Sequence, residues 1–164
     1  MKRIFIIFSL GLICALSAQA QELTTFVLIR HAEKASDGTR DPGLTAEGED
    51  RAARFKAMFA KAEVSAIYST PYRRTKSTVQ PLADALNKQI LEYNPRNMDF
   101  LDEILTDHAG GLVIISGHSN TTPFVANALL GKDQFGQLDE SEYDKIFVVT
   151  VSEKGKGTVT LLSF

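Results

Sequence analysis

The sequence predicts a single α/β domain, an α/β/α sandwich whose mainly parallel central sheet has helices on both faces. Apolar, strand-like stretches alternate along the chain with segments of helical periodicity, which is the pattern of a parallel sheet with crossover helices. Several of these stretches are continuously apolar, as in strands buried on both faces. A short Lys154–Gly157 turn separates the last two, so we expect an antiparallel hairpin at the C-terminal edge of the sheet.

The individual elements follow from apolar runs bounded by turn residues. The strand-like runs cover residues 24–30, 64–69, 111–118, 145–153 and 157–163. The helical segments run from an N-cap at Thr45 to about 61, from Pro71 to about 87, over the amphipathic stretch 97–108, and from about 120 to 130. The stretch 31–43 between the first strand and the first helix is rich in turn residues and is predicted to be a loop.

The first twenty residues have the pattern of a secretory signal peptide. Lys2 and Arg3 precede an apolar run from Ile4 to Ala15, and Ala18–Ala20 forms an A-x-A cleavage signal. We expect cleavage after Ala20, which would leave residues 21–164 as one domain in the periplasm or outside the cell. After cleavage we expect no stable association with a membrane.

Two alternatives remain for this leader. Residues 1–20 could be retained as a membrane anchor, although the apolar run is short for a spanning helix. Cys14 could be lipidated, although Ile13 stands where a small residue is expected. Cleavage would remove Cys14, the only cysteine, so the mature chain would have no disulfide, cysteine nucleophile or cysteine metal ligand.

The charge balance excludes a general affinity for polyanions. The chain has 18 Lys and Arg against 20 Asp and Glu, a formal charge of −2, and loss of Lys2 and Arg3 would make it −4. We therefore expect no nucleic-acid partner, and any anion site must be a local concentration of Arg and His. The sequence carries no indication of the oligomeric state.

Polar residues follow three of the predicted strands. Arg30 and His31 end the first strand, Ser69 ends the second, and His118 and Ser119 end the third. In open α/β sheets, ligands bind beyond the carboxyl ends of the strands. If these strands are parallel neighbours, their ends meet in one place.

Arg30, His31, Arg74 and His118 would then face one crevice. Each of them alone is more often a structural or solvated residue. Together, beside a helix N-terminus at 119–121, they would repel one another unless an anion offset their charge. Guanidinium groups suit tetrahedral oxyanions, and helix N-termini favour phosphate. The sequence therefore predicts a phosphate site.

Four segments resemble motifs of the histidine phosphatase superfamily, also called phosphoglycerate-mutase-like. They are Arg30-His31, Ser69-Thr70-Pro71 with Arg74-Thr75, Gly117-His118-Ser119, and LTAEGEDRA at 44–52. The resemblance spans about residues 24–163. It implies the α/β/α fold and a phosphohydrolase that acts on a phosphomonoester or a phosphoramidate. The partner would be a small phosphorylated substrate or a phosphorylated protein, and no cofactor or metal is expected.

The resemblance also implies roles for single residues. His31 would be the nucleophile that takes the phosphoryl group, and Arg30, Arg74 and His118 would hold the phosphate oxygens. Attack requires a neutral ring, which nearby Arg charges favour. The other ring nitrogen of His31 should donate to a backbone carbonyl. Further phosphate contacts are predicted for two residues at the next helix N-terminus, Ser119 and Asn120.

The general acid is unassigned. Some branches have Asp after the second His, but this chain has Ser119. Glu92 and Asp99 lie in the segment from which other branches take a Glu, and neither matches a motif. Glu33 is close to the nucleophile, and a salt bridge to Arg or to Lys34 is the alternative for it. Leaving groups of low pKa, and phosphoramidates, need less help from an acid.

Other functions remain as alternatives at this point. A metal-dependent hydrolase would use His31, Glu33 and His118, but two Arg residues would oppose a cation there. A non-catalytic phosphate-binding protein and a phosphomutase are the other two. At the mouth of the site, the flanking residues are either contacts for a second anionic group or solvated charges: Lys34 and Arg40. The two residues before the final hairpin are expected at the surface, with a role in the site as the alternative: Tyr143 and Asp144.

Overall fold

A computed structural model describes residues 22–164 of the chain. The expected signal peptide and the cleavage site after Ala20 lie outside the described residues. Within the described part, no helix is both long and apolar enough to cross a bilayer.

The described chain forms one six-stranded sheet and four α-helices. The strands are β1 (Thr24–Arg30), β2 (Val64–Ser69), β3 (Ile90–Glu92), β4 (Leu112–Gly117), β5 (Lys145–Val151) and β6 (Gly157–Ser163). The helices are α1 (Ala46–Phe59), α2 (Arg73–Leu86), α3 (Phe100–Asp107) and α4 (Thr121–Leu130). The strand order is β3-β2-β4-β1-β5-β6.

The sheet has the mixed topology that the sequence predicts. Strands β3, β2, β4 and β1 are paired in parallel, whereas β5 pairs antiparallel with both β1 and β6. The predicted α/β class and the closing antiparallel hairpin are therefore confirmed. The parallel part contains the strands whose carboxyl ends carry the polar residues.

The continuously apolar sequence of β1 is explained by burial on both faces. Phe26 and Leu28 pack in a core cluster with residues of α3 and α4, whereas Val27 and Ile29 pack in a second cluster with residues of α1 and α2. Successive side chains of a strand point to opposite faces of its sheet. Because both faces are covered by helices, no polar residue is needed between Phe26 and Ile29.

Two helix starts and one strand differ most from the sequence-based expectation, and β4 and β5 are one or two residues shorter than predicted at their ends. The helix expected from Pro71 begins at Arg73, because Tyr72 is its N-cap with extended backbone angles (φ −114°, ψ 146°). The helix expected over 97–108 begins only at Phe100. Strand β3 was not predicted, since its three partly exposed residues at the sheet edge are too few to show a period.

The loop after β1 is tied to the start of α1. Thr45 caps the helix as predicted, its Oγ1 accepting a hydrogen bond from the Gly48 N–H at 3.1 Å. The Thr45 N–H donates to the Glu33 carbonyl at 2.9 Å, and a Cβ atom at Gly48 would lie only 2.5 Å from that same carbonyl oxygen. Glycine is therefore required at position 48 for this close approach.

Candidate active site

The carboxyl ends of the neighbouring strands β2, β4 and β1 lie side by side at one end of the sheet. Arg30 is paired with Gly117 in the register of β1 and β4, and the His31 N–H donates to the Gly117 carbonyl at 2.8 Å. Ser69 of β2 is paired with Ser116 of β4. Parallel pairing in this register brings the polar strand ends together.

His31 is buried, with only 3% of its surface exposed. Its Nδ1 lies 2.8 Å from the carbonyl oxygen of Ala32. A carbonyl can only accept, so Nδ1 carries the proton and Nε2 keeps a lone pair. The Ala32 N–H donates to Oγ1 of Thr78 at 2.9 Å, and the Thr78 hydroxyl donates to the Arg74 carbonyl at 2.8 Å. Helix α2 thus holds the Ala32 peptide through Thr78, and the Ala32 carbonyl in turn fixes the tautomer of the His31 ring.

His118 lies with its ring centroid 5.4 Å from that of His31, in an edge-to-face arrangement. Its Nδ1 is 3.4 Å from Nη2 of Arg74, which can only donate, and its Nε2 is 2.9 Å from Oγ1 of Thr70. The Thr70 hydroxyl donates onward to Oγ1 of Thr75 at 3.0 Å. These partners place the proton of His118 on Nε2 and leave Nδ1 as the acceptor.

Both imidazoles are held neutral. Burial lowers the pKa of His31 to about 3, a hydrogen bond to Ala32 opposes the shift, and the charges of His118, Arg74 and Arg30 add to it. Burial, then Arg74 and Arg30, lowers the pKa of His118 to about 4. The expected contribution of nearby Arg charges to the neutral ring of His31 is present, and desolvation is the larger cause.

Arg74 extends from the first turn of α2 toward His118. Its Nη1 lies 3.5 Å from Oδ1 of Asp41, and its guanidinium carbon lies 4.7 Å from the centroid of the Tyr72 ring. Asp41 also accepts a hydrogen bond from the Arg73 N–H at 3.0 Å. Sequence reasoning missed Asp41 and Tyr72, because each lies in a turn or at a helix cap where no period marks it.

Arg30 is held by a segment that the sequence analysis did not include in the site. Its Nη1 donates to the carbonyls of Asp139 at 2.6 Å and Glu142 at 3.0 Å, and its Nη2 donates to Oε2 of Glu140 at 3.2 Å. The ring of Tyr143 lies 4.1 Å from the Arg30 guanidinium carbon. Residues 139–143 therefore form one wall of the site.

The expectation that Tyr143 is a surface residue is wrong. Its ring is half-buried between Arg30 and His31, with its centroid 6.0 Å from the His31 ring. Asp144 is also partly buried, and its carbonyl accepts from the Phe164 N–H. Of the two flanking cations, Lys34 lies 3.8 Å from Glu140, and Arg40 is exposed.

The three residues considered as general acids make contacts with residues other than the two imidazoles: Glu33, Glu92 and Asp99. Glu33 forms a bidentate pair with Arg51, with Oε1 2.6 Å from Nη2 and Oε2 3.0 Å from Nε. Burial raises the pKa of Glu33, but hydrogen bonds from Arg51 outweigh it and lower the pKa overall. An ionised, paired carboxylate cannot donate a proton, so the salt-bridge alternative for Glu33 is correct.

Glu92 and Asp99 have no observed contact with either imidazole. Glu92 pairs with Lys76 at 2.5 Å on the exposed edge of the sheet. Asp99 precedes α3, and its backbone carbonyl accepts hydrogen bonds from the first turn of that helix. The two candidates at the start of α4 lie directly beside His118: Ser119 accepts at its carbonyl from the Leu138 N–H, and Asn120 caps α4 through its side chain.

Comparisons with known proteins found one similar family and several similar folds. The family model described as histidine phosphatase superfamily (branch 1) matches residues 26–95. Over these residues the chain is similar to the histidine phosphatase superfamily. Solved structures match the fold over most of the chain. A search of curated proteins found no significant match.

Three solved structures illustrate the fold match. The protein histidine phosphatase SixA, complexed with tungstate, superposes with a TM-score of 0.70 at 19% identity, covering 85% of this chain and 96% of that one. Mycobacterial glucosyl-3-phosphoglycerate phosphatase gives 0.69 at 12% identity, covering 86% and 99%. The putative phosphohistidine phosphatase SixA from Agrobacterium tumefaciens gives 0.62 at 22% identity, covering 86% and 98%.

An open cleft of about 570 Å³ adjoins His118. Its lining consists of Tyr72, Arg74, Pro95, Arg96, His118, Asn120, Thr121 and Phe124. A larger cleft of about 800 Å³ lies at the opposite ends of the same strands, near Thr25, Val64 and Leu112, and contains none of the predicted site residues. The residues that line the smaller cleft, and not its volume, therefore identify it as the approach to the site.

The described residues provide cationic and neutral ligands at this position. Among them, no group of three or more His, Cys, Asp or Glu side chains is placed to hold a metal ion. Two guanidiniums, two neutral imidazoles and the N-terminus of α4 surround the strand ends. Such a set can bind a tetrahedral oxyanion and present the lone pair of His31 to it.

Proposed function

We propose that this protein is a phosphohydrolase that removes phosphate from a phosphomonoester or a phosphoramidate through a phosphohistidine on His31. The observation that carries the proposal is the hydrogen bond from Nδ1 of His31 to the Ala32 carbonyl. It fixes the neutral tautomer whose Nε2 lone pair is a nucleophile. The family-model match over residues 26–95 and the phosphatase names of the matched structures support the same reaction.

The proposed reaction has two displacements at phosphorus. In the first, the Nε2 lone pair forms an N–P bond while the bond from phosphorus to the leaving oxygen or nitrogen breaks, and the leaving group departs with that electron pair. In the second, a water oxygen bonds to phosphorus while the N–P bond breaks and its electron pair returns to Nε2; one proton of the water stays on the phosphate, and the other reaches the departed leaving group through solvent. The products are the dephosphorylated leaving group, inorganic phosphate and free His31.

Charge on the transferred group would be stabilised by Arg30, Arg74 and His118. A preorganised donor contributes roughly 3–4 kcal/mol, and positioning of the reactants contributes roughly 7–11 kcal/mol. Several donors together are needed, because the uncatalysed hydrolysis of phosphate monoesters is extremely slow. A bound phosphate dianion favours the protonated form of His118, which would turn Nδ1 into a further donor. Ser119 and Asn120 would contribute backbone N–H groups at the start of α4.

We also propose that the reaction needs no metal ion. Arg30 and Arg74 would supply the positive charge that a cation provides in metal-dependent phosphatases. Activity on an aryl phosphate should therefore be unchanged after dialysis against EDTA. Loss of activity there, restored by a divalent cation, would favour the metal-dependent alternative.

Trapping of the phosphoenzyme tests the covalent mechanism. The wild-type chain is mixed with a ³²P-labelled aryl phosphate and quenched within milliseconds in alkaline detergent, which preserves phosphohistidine. We expect label on the wild-type chain and none on His31→Ala. The variant His118→Ala should still fold and should label more slowly.

The same experiment separates the alternatives. If the wild-type chain binds phosphate but takes no label, the protein is a phosphate-binding module without turnover. If label appears and moves to an added alcohol in preference to water, the protein is a phosphomutase or transferase. Equal labelling of wild type and His31→Ala would contradict the assignment of the nucleophile.

We propose further that the protein is exported with cleavage after Ala20. The support is the charged start, apolar run and A-x-A signal of residues 1–20. Mass spectrometry of the protein recovered from the periplasmic fraction or the medium should give a mature chain beginning at Gln21. A chain that retains Lys2 and stays with the membrane would support the anchor alternative.

A further inference from the structure

The cleft beside His118 has two exposed aromatic rings. Tyr72 and Phe124 both line it, with 40% and 53% of their surfaces exposed. The Tyr72 ring stands edge-to-face against His118, with 5.0 Å between ring centroids. Large apolar side chains exposed next to a reactive group are typical of a ligand-binding surface.

The same cleft has a cation at its rim. Arg96 lines it and is exposed, and the guanidinium of Arg96 has no hydrogen-bond or ion-pair partner among residues 22–164. In contrast, Arg74 at the inner end is paired with Asp41. An unpaired guanidinium at one end of an aromatic cleft, with the phosphate ligands at the other, suits a ligand that has two anionic groups joined by an apolar ring.

The acids of the site give a second, independent argument. Two carboxylates close to this cleft are paired with cations: Asp41 with Arg74, and Glu92 with Lys76. A cleft whose nearby carboxylates are engaged in this way favours leaving groups that depart without protonation. Phenols are much stronger acids than alkanols, so phenolates meet this condition.

We propose that this cleft binds the leaving group of an aryl phosphate that carries a second anionic group, with Phe124 and Tyr72 contacting the ring and Arg96 binding the distal anion. This assignment rests on the proposed function, since it places the phosphate on Arg30, Arg74 and His118. It makes Tyr72, Arg96 and Phe124 specificity-determining residues of that reaction.

Binding of phosphonates tests the ligand class without turnover. Calorimetry compares 4-carboxyphenylphosphonate, phenylphosphonate and ethylphosphonate, none of which has a cleavable P–O ester bond. We expect affinity to fall in that order, by about threefold to tenfold at each step, from the ring contact and the Arg–carboxylate pair. Equal affinity for the three, or binding of none, would overturn the assignment.

Two variants show which side chain is responsible. Phe124→Ala should weaken both aryl ligands about fivefold and leave ethylphosphonate within about twofold. Arg96→Gln should remove the preference for the carboxylated ligand, and Arg96→Lys should keep part of it. The exposed Arg54 on α1 serves as the matched control, so Arg54→Gln should change none of the affinities. Variants that weaken all three ligands equally would indicate a merely structural effect and overturn the assignment.

Turnover of the corresponding phosphates separates this inference from the function on which it rests. We expect kcat/KM to be highest for 4-carboxyphenyl phosphate and lowest for ethyl phosphate. Turnover without an aryl preference would overturn the ligand class and leave the phosphatase intact. Selective phosphonate binding with neither turnover nor phosphoenzyme would overturn the phosphatase and leave the ligand class. A higher kcat/KM for an imidazole phosphoramidate than for 4-carboxyphenyl phosphate would overturn the ester assignment.

Discussion

Nη2 of Arg30 donates a hydrogen bond to a carboxylate oxygen of Glu140 at 3.2 Å, and the two side chains have opposite environments. Only 1% of the Arg30 side chain is exposed, against 68% of the Glu140 side chain. Two backbone carbonyls fix the other end of the guanidinium. Nη2 is therefore satisfied by an exposed, solvated carboxylate that a phosphate oxygen can replace.

The first prediction follows from the competition between Glu140 and phosphate for Arg30. Glu140→Gln should tighten the binding of inorganic phosphate or tungstate by about twofold to tenfold, because a negative charge that competes for Arg30 is removed. The gain should shrink as salt increases, since the pair is solvent-exposed on one side. Calorimetric titration at two ionic strengths measures both effects.

Asp133 provides the control for Glu140. It is an exposed acid on the same segment and is not among the residues that contact Arg30. Asp133→Asn removes the same charge, so it should change phosphate affinity by less than about twofold. Equal tightening by both substitutions would mean that net charge, and not the Arg30 contact, governs anion binding.

The second prediction concerns protonation of the two imidazoles. Because the pKa of His31 is lowered to about 3 and that of His118 to about 4, both rings should stay neutral from pH 8 to pH 5 in the ligand-free protein. NMR spectra of protein with ¹⁵N-labelled histidine, recorded over this range, should show unchanged ring nitrogen shifts for both residues. A midpoint near the ordinary value of 6.5 for His31 would contradict the burial argument.

The same shift has a consequence for stability. Below pH 6.5 these two imidazoles become protonated in the unfolded chain but stay neutral in the folded chain. The free energy of unfolding therefore falls with decreasing pH. For His31 the loss is about 2 kcal/mol between pH 6.5 and pH 5. Urea unfolding at both pH values should therefore show a smaller loss in His31→Asn than in wild type.

The third prediction concerns the pair between Glu33 and Arg51. The two side chains are 14% and 12% exposed, and Arg51 also donates to the Phe164 carbonyl at 2.8 Å. Arg51→Met should lower the free energy of unfolding by about 1–3 kcal/mol, because it leaves a mostly buried carboxylate unpaired. Urea denaturation measures this loss, and the exposed Arg54→Met on the same helix should cost less than about 0.5 kcal/mol.

Activity distinguishes the structural role of Glu33 from a catalytic one. Glu33→Gln should lower stability and leave kcat on an aryl phosphate within about threefold, since the carboxylate is occupied by Arg51. A fall of kcat by about 100-fold with an altered pH profile would be expected of a general acid. That result would return Glu33 to the catalytic residues.

The fourth prediction tests the close contact at Gly48. Gly to Ala in a helix normally stabilises by about 0.5–1 kcal/mol. Here the new Cβ would lie 2.5 Å from the Glu33 carbonyl oxygen, so Gly48→Ala should destabilise by about 1–3 kcal/mol. Gly136→Ala is the control, because a Cβ at that position meets no atom within 4 Å. Thermal or urea unfolding of both variants decides between crowding and helix propensity.

Most of the fold was predictable because its central strands are buried on both faces. Phe26 to Ile29 form an unbroken apolar run, and such runs identify central parallel strands. Strand β3 was missed because its short edge position needs no such run. The start of α2 was misplaced because Pro71 suits a first helical turn, while Tyr72 is in fact extended.

The site was predictable where it depends on strand ends. Arg30, His31 and His118 directly follow apolar strands, so topology alone brings them together. The wall formed by residues 139–143 was not predictable, since Arg30 binds mainly to its backbone carbonyls. A carbonyl is present at every position of the chain, so sequence carries no mark of which ones accept. The fixing of His31 by Ala32 was expected on chemical grounds, whereas the link through Thr78 depends on packing.

The alternation of side chains between the two faces of β1 also links the correct placement of His31 to the correct packing of both cores. A slip of one residue between β1 and β4 would exchange Phe26 and Leu28 with Val27 and Ile29, so that both cores would receive side chains of the wrong shape. The same slip would carry Arg30 and His31 away from Gly117. Molecules with a misaligned nucleophile are therefore also molecules with two damaged cores, and cellular proteolysis of loosely packed chains would remove them. The folded population should consequently be homogeneous in its reactive geometry.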